Sequence, residues 1–385
     1  MKTNLKKLAY SGLTMLTIGV LTACSSTSNS ASTGSVLASV TDSSSSSSSD
    51  SGISSVDWSS LPTKEVSLTN EGLTITEGGT YILTGTTTGG VTVETDANVR
   101  LILAGATISS SDTAAINVLS ANLVEIELQD GTENVVKDSS KHSNTDIEGA
   151  IHVEADLIIS GNGSLTVEGN FQDGIVSTDN LVINAGKIRV TATDDGIRGK
   201  DSLTINGGTI TVTAAGDGIK ATNDEDTSKG YTIITGGSIT VSAGDDAIKA
   251  ESSLTIDGGD LTVTDSLEAI EATNITINGG SLDVYGSDDA INAASSVTGA
   301  DIFIKITGGD LKVAVGSGDT DAFDSNGDIY ISGGTIAVTA PTSAFDFDGT
   351  VEWTGGTITV NGNQITEIVA TGPGGGGAPG GRGGW

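Results

Sequence analysis

The chain has 385 residues, and 49 acidic side chains against 17 basic ones give a formal net charge of −32. That balance excludes nucleic acid and anionic lipid surfaces as partners, because both need a basic face. Aromatics at 3% supply no stacking platform for bases either. An acidic excess of this size suits a protein that meets divalent cations in an extracellular setting.

In chain order, residues 1–24 read as a processing signal. Lys2, Lys6 and Lys7 form a positive start, and residues 13–20 an apolar stretch too short to span a bilayer comfortably. Leu21-Thr22-Ala23-Cys24 has the form of a bacterial lipobox, whose cleavage would leave Cys24 as a lipid-bearing N-terminus; the alternative is an ordinary secretory signal. Cys24 is the single cysteine, so a disulfide within the chain is excluded. The expected location is the outer face of the cell membrane, touched only through that anchor. Residues 25–63 hold the serine run 43–49 and are too polar to bury a core, which predicts a disordered tether.

Residues 64–370 repeat one pattern, clearest from about 147 to 362. One copy runs Asp194-Asp195-Gly196-Ile197, then Leu203-Thr204-Ile205, Gly207-Gly208 and Ile210-Thr211-Val212. Later copies carry Asp217-Gly218-Ile219, Asp245-Asp246-Ala247-Ile248, Glu268-Ala269-Ile270, Asp288-Asp289-Ala290-Ile291, Asp321-Ala322-Phe323 and Ser343-Ala344-Phe345. Fainter copies precede them, with Ala115-Ile116, Ala150-Ile151 and Gly174-Ile175 at the corner. A period of roughly 22 residues built from short alternating segments, with no helical periodicity, predicts a stacked β-solenoid. The expected fold is all-β, a single right-handed parallel β-helix with one coil per copy. Ile197 should then lie between Ile175 and Ile219, and Ile205 beside Ile183. Residues 56–69 and those from 366 onward are the expected end caps. The glycine-rich residues 371–385 are not expected to fold alone.

Stacking brings the corner acids Asp173, Asp195, Asp217, Asp246, Glu268, Asp289 and Asp321 to roughly 4.8 Å spacing. Asp194, Asp245 and Asp288 lie beside that stack, with Asp319 and Asp324 near its far end. Two such carboxylates repel by about 3–4 kcal/mol at an effective dielectric near 20. A calcium ion, which takes oxygens at about 2.3–2.6 Å, would bridge them. The alternative is that each carboxylate accepts hydrogen bonds from local backbone amides. Three residues past the corner, the side chain is basic at Arg198, Lys220 and Lys249, then turns to Glu271, Asn292, Asp324 and Asp346. The bases suit either a uronate-bearing glycan or neutralisation of the neighbouring acids.

The Asp-Asp-Gly/Ala-Ile corners and Ile-x-Gly-Gly-x-Ile-x-Val strands, behind a lipobox and serine-rich tether, resemble a family of bacterial cell-surface proteins described as carbohydrate-binding domain-containing. The resemblance implies a pectate-lyase-like β-helix that binds calcium and attaches to cellulose and polygalacturonate-type acidic sugars. It implies calcium at Asp194-Asp195, Asp245-Asp246 and Asp288-Asp289. The corner departs from the pattern at Glu268 and Ser343. The resulting expectation is a monomer that binds polysaccharide without cleaving it, with Arg198, Lys220 and Lys249 touching the glycan and Asp194, Asp195, Asp217, Asp245, Asp246, Asp288 and Asp289 holding calcium.

Two alternatives stand beside it. A pectate-lyase-like enzyme would use one of the bases to abstract a proton, although acidic neighbours raise a lysine's pKa. The regular repeat also offers few loops to wall a cleft, residues 223–230 and 295–301 being the main exceptions. Neither a Gly-His-Gly signature nor a Ser-His-Asp set is present, and the histidines are His142 and His152, the latter expected at the surface or in a stack. An adhesin or structural spacer would share the anchor, tether and solenoid.

Overall fold

The structure is a computed structural model that describes residues 53–318 and 320–371. The expected signal peptide, Cys24, residues 25–52 of the expected tether, Asp319 and residues 372–385 lie outside the described residues; residues 53–63, expected as the end of a disordered tether, include the 3₁₀ turn Trp58–Ser60 and the start of the strand Thr63–Leu68.

Each repeat forms three short strands. In the clearest copy these are Ile197–Gly199, Ser202–Ile205 and Thr209–Ala214. Every one pairs in parallel with its equivalents in the coils before and after. The chain is thus a parallel β-helix whose core is wrapped by three sheets: a corner sheet beginning at the acidic step, then a second and a third. Ile175, Ile197 and Ile219 are in register, as are Ile183 and Ile205, and all five are fully buried. Each such side chain removed from water contributes about 1.5–3 kcal/mol. Toward the C-terminus the isoleucine ladder turns aromatic. Phe323 lies in register with Ile291 and stacks on Phe345, ring centroids 5.0 Å apart.

Glycine makes the tight corners possible. Gly208 has φ +100, and a Cβ there would lie 2.9 Å from the Gly186 carbonyl of the preceding coil.

Coil length is less regular than the core. Corner-sheet register advances 22 residues from Ile175 to Ile197 and again to Ile219, then 29 to Ile248, 22 to Ile270, 21 to Ile291 and 32 to Phe323. The extra residues leave the barrel mainly between Ile219–Ala221 and Tyr231–Ile234, and between Ile291–Ala293 and Phe303–Ile306. Both loops therefore leave along the same edge, where the corner sheet meets the second.

At the C-terminal end the strand Thr357–Val360 meets Asn363–Gln364 in an antiparallel pair, while Ile365 and Ile368 pack on the last coils. Thr371 N–H donates to the Phe345 carbonyl at 2.9 Å. These contacts close the edge against further strand addition. At the other end a 3₁₀ turn, Trp58–Ser60, precedes the first strand, Thr63–Leu68. Among the described residues no helix is long and apolar enough to cross a membrane.

Candidate functional site

The middle residue of each corner-sheet strand points outward, because its neighbours on either side fill the core. Register aligns Arg198 with Lys220, Lys220 with Lys249, Lys249 with Glu271, and Glu271 with Asn292, Asp324 and Asp346 in turn. A single file of polar side chains thus runs along the helix axis and changes sign between Lys249 and Glu271. Upstream it continues through Val176 and His152. His152 is buried rather than at the surface, 4% exposed, and burial together with Arg198 lowers its pKa to about 4.

The corner carboxylates divide their oxygens between two tasks. Asp173 Oδ1 accepts from Asp195 N–H at 3.1 Å, Asp195 Oδ1 from Asp217 N–H at 2.9 Å, and Asp217 Oδ1 from Asp246 N–H at 2.9 Å. Asp289 Oδ1 does the same for Asp321 N–H at 2.8 Å. The expected alternative to a metal was bonding to local backbone amides; each of these bonds reaches instead the amide of the next coil. The other oxygen faces the bases: Arg198 meets Asp173 Oδ2 at 2.9 Å, and Lys220 meets Asp217 Oδ2 at 2.6 Å and Asp195 Oδ2 at 3.4 Å. Lys249 reaches Asp246 Oδ2 at 2.7 Å and also pairs with Glu271. Arg198 further pairs with Glu148, which ends a loop pinned by His142. That ring sits between Asp138 Oδ2 at 3.0 Å and the Ile147 carbonyl at 2.5 Å and stacks on Phe171.

Burial shapes the charges. It pushes Asp173 up to about 7, outweighing the pull of Arg198, and raises Glu268 to about 7. Asp324 rises to about 7 through burial and the like charges of Asp289 and Asp321, with no base in its file position or those beside it. Burial works against the ammonium of Lys249, but Asp246 and Glu271 overcome it and hold its pKa above the ordinary value; Lys220 is raised in the same way by Asp217 and Asp195.

Two groups of carboxylates bring oxygens within 4.8 Å of one another: Asp217, Asp245 and Asp246, and Asp246, Glu268 and Glu271. The first contains three of the sequence-expected metal ligands. Asp194-Asp195 and Asp288-Asp289 gather no third carboxylate this closely among the described residues. Glu268 and Glu271 complete the second group; Glu268 stands in the expected corner stack as a departure from the Asp pattern, whereas Glu271 was not expected as a ligand, although its register with Lys249 is the signal that could have found it. The structure also shows a cleft of about 550 Å3, lined by Asn223 and Thr227 from one long loop and Val297 and Asp301 from the other, with Lys249 and Glu271 among its walls.

A family model for carbohydrate-binding domain-containing proteins matches residues 69–322. A carbohydrate-binding domain-containing protein of Acetivibrio thermocellus is 36% identical over 146 residues, covering 36% of this chain; the chain spans about half of that relative, 49%. A solved structure titled as the polysaccharide lyase-like protein from C. thermocellum, in a gadolinium derivative, superposes with a TM-score of 0.51 at 35% identity, covering 60% of this chain and 91% of that one. The match spans most of the β-helix, including the corner acids and the basic half of the file, and the chain belongs to the carbohydrate-binding domain-containing family.

Proposed function

We propose that this chain is a non-catalytic polysaccharide-binding protein, that it holds acidic, uronate-type glycan along the outward file of the corner sheet, and that calcium supports the binding. The observation that carries the reading is the file itself: Arg198, Lys220 and Lys249 are stacked one per coil, and Lys249 lines the loop-walled cleft. Their spacing is roughly 4.8 Å, so three cations stand in a row that a polyanionic chain lying along the file would meet. Charge-assisted bonds to a carboxylate are about twice as strong as neutral ones.

The donor chemistry of the two carboxylate groups suits a hard cation that prefers oxygen. Asp217, Asp245, Asp246, Glu268 and Glu271 would supply the ligands, and a bound calcium would add positive charge facing the glycan. Lys220 and Lys249 share these oxygens, so calcium and the lysines compete for them.

A lyase is the second reading, favoured by the cleft beside Lys249. A base must be unprotonated at working pH, and the raised pKa values of Lys220 and Lys249 oppose that. Retention on immobilised polygalacturonate should drop severalfold in Lys220→Ala and in Lys249→Ala; retention unchanged in both would remove the file from the account. Anchoring through Cys24 belongs to the same proposal, and loss of fatty-acid labelling in Cys24→Ala would be its direct test.

A further inference from the structure

The first long loop, between Ile219–Ala221 and Tyr231–Ile234, is closed by one carboxylate. Asp201, from the preceding coil, reaches a residue at each end of it. Its Oδ1 accepts from Asn223 Nδ2 at 2.7 Å, and its Oδ2 accepts from Lys229 Nζ at 2.6 Å. The backbone brings the same two ends together. Gly230 N–H donates to the Asp201 carbonyl at 2.7 Å, and a Cβ on Gly230 would lie 2.3 Å from the Asn223 carbonyl oxygen. Asn223 and Asp201 are buried, whereas the Lys229 side chain is 43% exposed.

The other end of the Asn223 amide is held as well. Its Oδ1 accepts from the backbone N–H groups of Asp226 at 2.9 Å and Glu225 at 3.2 Å. Two N–H donors on a carbonyl oxygen draw electron density from its carbon and stabilise the charge that a nucleophile would place there. A turn built on an asparagine uses such bonds too. It does not call for a lysine held on the same buried carboxylate as the amide nitrogen.

We infer that Asn223 and Lys229 form a modification site, at which the chain joins two of its own side chains in an isopeptide bond. Asp201 takes a proton from the Lys229 ammonium, and the freed amine attacks Asn223 Cγ. Asp201 then passes that proton to Nδ2, and the Cγ–Nδ2 bond breaks as the Nζ–Cγ bond is completed. A second proton from the former amine follows the departing ammonia. The products are a secondary amide and an ammonium ion, with charge conserved and no electrons gained or lost. The hydrogen bond to Asp201 raises the lysine's pKa, so the amine is the minor form and the reaction is slow. One turnover per molecule is enough, and both partners are already held at one carboxylate. The bond fixes a loop that walls the cleft, and surface loops are where proteases cut. It does not depend on the function proposed for the file.

Tryptic digestion and mass spectrometry of the full chain, aged at neutral and at mildly alkaline pH, test the inference. Trypsin cuts an unmodified chain after Lys220 and Lys229 and releases residues 221–229, which contain both partners. The joined chain should resist cleavage at Lys229 and yield residues 221–249 instead, lighter by one ammonia. Lys229→Arg keeps the ion pair but cannot form the bond, so it should release residues 221–229 at full mass. Asp201→Asn should slow the joining roughly a hundredfold, the scale of one acid–base group. Release of residues 221–229 in full yield from the aged wild type, whether at full mass or lighter by ammonia, would overturn the inference. Joining at an unchanged rate in Asp201→Asn would do the same, since the proposed step passes its proton through that carboxylate.

Discussion

Lys249 stands between Asp246 and Glu271, and its removal leaves a buried and a partly buried carboxylate facing each other. Breaking a fully buried pair costs about 3–5 kcal/mol, and the Lys249 side chain is 26% exposed, so Lys249→Ala should lose about 2 kcal/mol in chelator. Calcium should raise the thermal midpoint of this variant more than that of the wild type, because the ion then has no resident competitor; an equal rise in both would contradict the shared-oxygen account. Asp173 and Asp324, both pushed to about 7 from an ordinary 3.8, give a second expectation. They hold their protons more tightly folded than unfolded. The stability they contribute is full below about pH 4 and is lost as pH rises through about 7. The calcium-free protein should therefore show a falling thermal midpoint from pH 4 to 7, followed by calorimetry at fixed ionic strength, and a flat or rising profile would contradict the burial argument. The residue types at these positions were legible in the sequence. Their division of labour was not, since one oxygen of Asp173, Asp195 and Asp217 bonds a backbone amide of the next coil, and that bond depends on stacking distance rather than on residue identity.

The repeating strands show how far periodicity carries at the scale of the element. Alternating apolar triplets and a Gly-Gly step were enough to give the stacked parallel coil and the register of Ile175, Ile197 and Ile219, while the division of each coil into three sheets came from the structure. Whether the corner takes glycine or alanine follows from packing across the core. A Cβ added at Gly196 would lie 2.3 Å from Val212 Cγ1 and 2.5 Å from the Gly218 carbonyl, so Gly196→Ala should cost about 1–3 kcal/mol through overpacking. Urea denaturation with an unchanged slope would report that loss, and a stabilised variant would show that the valine can rotate away. The two long connections were visible as interruptions of the repeat. Their common exit along one edge was not, because it depends on where within each coil the extra residues leave. That shared edge is what makes one cleft out of two loops distant in sequence, Asn223 from the first and Asp301 from the second both lining it.

The molecule as a whole places a polarised file on one face, cationic from Arg198 to Lys249 and acidic or neutral from Glu271 to Asp346. The closed C-terminal edge leaves that face, rather than an open strand, as the surface on offer. Its two halves divide the proposed binding between protein cations and carboxylates that a divalent ion can bridge. The central claim is calcium-dependent binding without cleavage. It is tested most directly by incubating the protein with polygalacturonate in calcium and in chelator, while following co-sedimentation together with absorbance at the wavelength of unsaturated uronates. The account predicts co-sedimentation in calcium that falls in chelator, with no growth of absorbance in either. Growth of that absorbance, abolished by Lys249→Ala, would make the protein a lyase. Absence of co-sedimentation in calcium would leave the file without an acidic glycan to hold.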